Sequence, residues 1–229
     1  MNHHHEHHVE SSESLRDFVI GMADGLTVPF ALAAGLAGAV DNNSLIVVAG
    51  AAEIAAGTVA MGLGGYMGAR TEKEHYDAEE RREMREVELV PHVEAKEVAD
   101  ILRDFGVPEE QVPIVVDGIK KDPQKWVDFM MRFELGLERP NPKRLISSPL
   151  IIGSAYALGG FIPLLPYMLY DTVTDALPVS VALTLIALFA FGAFRGYYTG
   201  QKVWRAAMQM TFIGGLAAAT AFFIAKMIS

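Results

Sequence analysis

Two acids stand where acids are costly. Asp24 lies about six residues into an apolar run beginning at Phe18, and Glu53 lies near the middle of the next apolar run. Neither has a Lys or Arg neighbour within its own run. Ionisable groups at membrane depth are expensive and normally handle ions or protons. Met61 follows Glu53 by eight residues, about two helical turns, on roughly the same face. Two carboxylates and a thioether in that register can line a path for a divalent cation, with protons exchanged at the same carboxyls. The ordinary alternative is two neutral carboxyls locked by packing. Pro29, in DGLTVPFALAAGL, frees a backbone carbonyl and promotes a kink about a turn from Asp24, a plausible gate.

A second set of chemically able residues falls between the apolar blocks. From Glu72 to Glu138 there are 19 Asp or Glu against 10 Lys or Arg. Most such carboxylates belong to a solvated helical surface. Glu79, Glu83 and Glu86 share one helix face, Glu94 and Glu97 are three apart on the next helix, and Met130, Met131 and Glu134 fall on neighbouring faces of a third. Carboxylates with soft sulfur suit a first-row divalent ion such as Fe²⁺ better than Mg²⁺ or Ca²⁺, which prefer oxygen alone. By itself the Met pair reads more readily as core packing. The absence of cysteine excludes disulfides, thiolate metal sites and cysteine nucleophiles, and a formal net charge of −9 argues against nucleic acid as a partner. His3, His4, His5, His7 and His8 form a metal-capable cluster, in a stretch that reads as a flexible tail without an essential role.

The elements that must position these residues are membrane helices. About 20 apolar residues cross a bilayer, and five stretches qualify: Phe18–Val40, Leu45–Ala69, Leu145–Tyr170, Leu177–Tyr198 and Val203–Ile228. The expected fold is therefore an all-α membrane protein with five transmembrane helices and a helical insert between the second and third. Its expected parts are a tail (1–14), two spans (15–69), an acidic insert (70–144) and three spans (145–229). Residues 70–144 hold 14 of the 19 Lys and Arg, while the links between spans one and two and between three and four hold none. The positive-inside rule then places the N-terminus and insert in the cytosol and the C-terminus lumenal or outside. Gly21 with Gly25, Gly64 with Gly68, and Gly196 with Gly200 have the small-xxx-small spacing of close helix approach.

Within the insert no helix breaker precedes Pro91, so the second span should continue as one long helix to that point. Further helices are expected over about Val93 to Phe105, ended by Gly106, over about Glu109 to Lys121, and after Asp122-Pro123 through WVDFMMRFELGL.

The strings DGLTVPFALAAGL, AEIAAGTVAMGLGGYMGAR, WVDFMMRFELGLERPNPKR and ALGGFIPLLPY resemble the vacuolar iron transporter family of plants and fungi, and the likeness runs from about Leu15 to the C-terminus. The resemblance implies a non-enzymatic, homodimeric, proton-coupled exporter of Fe²⁺, with Mn²⁺ as an alternative cargo. It also implies a location in the vacuolar membrane of a eukaryote or the plasma membrane of a prokaryote. Its transport path would be Asp24, Glu53 and Met61. Its cytosolic metal-binding set would be Glu83, Glu86, Glu94, Glu97, Met130, Met131 and Glu134, where Zn²⁺ or other divalent ions could also bind. No resident cofactor is implied beyond the transported ion. The partners are the bilayer, the metal, protons and a second copy. The rival reading is a membrane-anchored di-iron carboxylate storage protein. That chemistry wants two Glu-x-x-His motifs, and only Glu72-Lys73-Glu74-His75 supplies one.

Overall fold

The computed structural model describes residues 8–228, which form eight helices and no strand. His3, His4, His5 and His7 lie outside the described residues, as does the His8 side chain. Five helices are long and apolar enough to cross a membrane: α1 (His8–Ala39), α2 (Asn43–Leu89), α6 (Arg144–Leu169), α7 (Val173–Tyr198) and α8 (Val203–Ile228). Three shorter helices lie between them, α3 (Pro91–Asp104), α4 (Val112–Ile119) and α5 (Pro123–Phe133). The described chain divides into two compact units, one made of residues up to Tyr66 together with Leu145 onward, the other of Met67–Arg144.

In the first unit α8 packs against both α1 and α7. Their shared core holds Leu26, Phe30, Ala34, Leu188, Phe191, Met210 and Ala218. α6 lies against α1 and α2 at glycines. A β-carbon on Gly21 would fall 2.2 Å from the Ile152 carbonyl oxygen, and one on Gly25 would fall 2.3 Å from that of Tyr156. Small residues thus let two backbones touch, as the Gly21–Gly25 spacing suggested. The other two pairs behave differently. Gly64 and Gly68 meet nothing within 4 Å in this chain, and Gly200 adopts φ 66° in the turn after α7. α1 runs through Pro29 uninterrupted, and Pro29 is buried where α6 brings Gly160 close. The outward positions are apolar, Val59 being 71% and Phe212 69% exposed, as surfaces bathed by hydrocarbon are.

α7 begins at Val173, four residues before the apolar run, because Thr172 caps it: its hydroxyl oxygen accepts from the Asp175 amide at 3.2 Å. A search for apolar residues alone overlooks a start of that kind.

In the second unit α2 continues unbroken to Leu89, as its helix-forming composition requires. Pro91 both ends it and opens α3, since proline is suited to the first helical turn. Gly106, at φ 81°, ends α3. α4 is shorter than the sequence suggested and starts at Val112, with Pro113 in its first turn. The Asp122 carboxylate caps α5 by accepting from the Gln124 and Lys125 amides at 3.1 and 3.4 Å. α5 stops at Phe133, and Gly136 at φ 64° turns the chain away before Leu137. The apolar faces enclose one core around Tyr76, Val98, Val116, Trp126, Met130 and Met131.

Candidate ion path and carboxylate cluster

The acid of α2 is held by a residue of α6. The Tyr156 hydroxyl donates to Glu53 Oε1. Gly57, one turn along α2 from Glu53, leaves room for the Tyr156 ring, which a β-carbon there would meet at 2.4 Å. Gly25 lies on the Tyr156 backbone, and its neighbour Asp24 is within electrostatic reach of the same hydroxyl. The Gly25 and Gly57 contacts with Tyr156 therefore fix α1 and α2 against α6 beside the two acids. Glu53 Oε2 is buried and accepts no hydrogen bond, so one lone-pair-bearing oxygen remains open for a cation or proton. Asp24 faces outward between Ile20 and Val28, an acid on an exposed apolar strip of α1. Met61 is half-buried two turns from Glu53, on the insert side of α2. Tyr156 thus holds Glu53 directly and has Asp24 only in electrostatic range, while Met61 stands apart on α2.

In the insert, α2, α3 and the C-terminus of α5 bring five carboxylates into mutual range: Glu83, Glu86, Glu94, Glu97 and Glu134. Glu83 and Glu94 are 1% and 4% exposed, and each leaves one oxygen buried without a hydrogen bond. Burial, and then the neighbouring carboxylates, push both acids up to about 7. Glu134 is raised by the same two causes. Among the described residues no three His, Asp or Glu side chains converge closely enough to hold an ion as they stand. Five like charges repel one another, and the Arg82 guanidinium sits among them, 2.9 Å from Glu79, 3.3 Å from Glu83 and 3.4 Å from Glu86. Met130 and Met131, 0% and 1% exposed, are core side chains beside Trp126 and Val127. Ligation by either thioether would require it to leave that core.

Comparison with known proteins decides the family. Residues 15–226 match the model of the VIT family. The chain belongs to the VIT family, the vacuolar iron transporters. It is similar to "Vacuolar iron transporter 1" of Arabidopsis thaliana, 52% identical over all of this chain and 91% of that protein. The "Vacuolar iron transporter" of Centaurea cyanus is 50% identical, over 99% of this chain and 92% of its own length. "Protein CCC1" of Saccharomyces cerevisiae is 35% identical over 93% of this chain and 69% of its own. This is a family of transporters and not of enzymes. The matched span contains Asp24 and Glu53 of the candidate path and every acid of the insert cluster.

Two residues of this VIT chain escaped the sequence reading. Inside the spans the charges of Asp24 and Glu53 and the sulfur of Met61 stand out, whereas Tyr156 reads as one more aromatic. Its position was a signal, since it lies mid-span and away from the membrane interface where Tyr usually collects. Arg82 was counted among the insert's bases, yet its spacing from Glu79 and Glu86 already put it on their face.

Proposed function

We propose that the chain carries Fe²⁺ out of the cytosol in exchange for protons, through Met61, Glu53 and Asp24. The observation that carries this reading is Glu53, held by the Tyr156 hydroxyl inside the apolar unit with its second oxygen buried and unbonded, and with Asp24 of α1 in electrostatic range of the same hydroxyl. The names of its VIT relatives support iron as cargo and the vacuolar membrane as location. Mn²⁺ is the alternative cargo. The insert and N-terminus face the cytosol and the C-terminus faces the lumen, on the positive-inside argument. The chain works as a homodimer. The outward-facing Asp24 supports this, because an acid flanked by exposed Ile20 and Val28 is costly against lipid and is relieved when a second copy covers it.

The insert is the cytosolic gathering site, using Glu83, Glu86, Glu94, Glu97 and Glu134, with Met130 and Met131 joining when α5 shifts. The divalent ion substitutes for the protons that Glu83 and Glu94 hold near neutral pH, and Zn²⁺ or other divalent ions compete there. The storage reading has little support, because Glu72 of its one Glu-x-x-His pairs with Arg144 at 2.9 Å.

The gathering role has a pH signature. Raised acids stabilise the fold fully below their ordinary range, near 4.5, and that contribution is lost as pH rises through about 7. Metal needs the ionised form, so its affinity for the insert should fall as pH drops from 8 to 6, with protons released on binding. Glu83→Gln with Glu94→Gln should weaken the apparent affinity for transported Fe²⁺ roughly tenfold or more and flatten that pH dependence, leaving the maximal rate nearly intact. Initial uptake rates over a range of Fe²⁺ concentrations at the two pH values measure it. Wild-type affinity in the double variant would remove the gathering role.

A further inference from the structure

Arg82 has no part in gathering metal, yet it stands inside the cluster that would do so. Its guanidinium reaches three carboxylates of its own helix, Glu79, Glu83 and Glu86, at 2.9–3.4 Å. An exposed helix surface commonly carries such ion pairs, and each contributes little to stability. This arrangement differs in one respect. Glu83 is 1% exposed, so Arg82 pairs with a buried carboxyl group and not a solvated one. Among the described residues Arg82 is the cation that reaches Glu83, and it does so from outside, its own side chain being 47% exposed. It can therefore swing to solvent without disturbing the Trp126 core. Arg85, three residues on and also exposed, makes no ion pair with these acids.

We propose that Arg82 is a tethered counter-cation that competes with divalent metal for Glu79, Glu83 and Glu86, and so sets the metal affinity of the insert. A guanidinium spreads one charge over a planar fork and shares it among several carboxylates. A divalent ion concentrates two charges and binds the same oxygens more strongly, so its arrival displaces Arg82 and frees the helix face to close on the ion. Arg82 then offsets part of the cluster's negative charge when cytosolic metal is scarce, and metal loads only at concentrations high enough to displace it. This inference rests on the reading of the cluster as a metal-gathering site.

The test is calorimetric titration of Mn²⁺, an air-stable probe, into the full chain in detergent. The Glu83→Gln/Glu94→Gln double variant supplies the background from other metal-binding residues. Arg82→Gln should bind Mn²⁺ roughly three- to tenfold more tightly than wild type, since one set of charge-assisted contacts no longer has to be broken. Arg82→Lys keeps the charge and should stay near wild type. Arg85→Gln removes the same charge without touching the cluster and should change affinity less than Arg82→Gln. If Arg82→Gln binds equally or more weakly, or if Arg85→Gln tightens binding as much, Arg82 is not a competitor. If wild type and the double variant titrate alike, the gathering site itself is wrong and the competitor role falls with it.

Discussion

Glu53→Ala is expected to abolish proton-driven Fe²⁺ uptake into proteoliposomes, lowering the initial rate more than roughly 100-fold, and Asp24→Ala is expected to do the same. The reason is geometric. The Tyr156 hydroxyl holds Glu53, Asp24 lies in its electrostatic range from α1, and Glu53 keeps a second oxygen free of hydrogen bonds. On the proposed path, removing either acid would break the handover of a dehydrated cation at a depth where water cannot substitute. Tyr156→Phe keeps both carboxylates and removes only the hydrogen bond that orients Glu53, so its loss should be smaller, roughly tenfold. Rates at matched reconstitution levels decide the ordering. A Glu53→Ala protein that keeps half its wild-type rate would show the acid to be a packing group.

Gly25→Ala should be nearly as damaging, through a different cause. The new β-carbon would meet the Tyr156 carbonyl oxygen at 2.3 Å, and a backbone atom in mid-helix cannot rotate away. α1 must then move off α6, carrying Asp24 from Tyr156. Overpacking of this kind costs about 1–3 kcal/mol, so the unfolding temperature in detergent should drop together with the transport rate. Gly35→Ala on the same helix provides the contrast. Its nearest neighbour would be the Ala221 β-carbon at 3.4 Å, an ordinary contact, and alanine is the better helix former. It should leave stability unchanged or slightly raised. Equal loss in the two variants would mean that glycine matters in α1 only for general helix packing.

The helices of the apolar unit were legible because hydrocarbon imposes length and composition together. The long α2 was legible because no breaker interrupts it before Pro91. Where the reading slipped, the cause was local chemistry. α7 gains its first turn from the Thr172 cap inside a polar stretch, and α5 ends early because Gly136 turns left-handed. The acids of the candidate path stood out because apolar surroundings make any acid conspicuous. Tyr156 did not, since a tyrosine in a span looks like one more aromatic until Gly57 is seen to leave room for its ring. In the insert, helical spacing grouped Glu79, Glu83 and Glu86 on one face. It could not show that Glu83 is buried, because burial depends on how α3 and α5 fold across that face. Met130 and Met131 illustrate the converse: their spacing suited a ligand set, and their position is the centre of the insert core.

Proton-coupled export is tested most directly by Fe²⁺ uptake into proteoliposomes under an imposed pH gradient, repeated after a proton ionophore has collapsed it. Metal should accumulate against its own gradient only while the interior is the more acidic side, with protons leaving as metal enters and with both movements lost on adding the ionophore. Fe²⁺ uptake that proceeds equally with and without the pH gradient would contradict it.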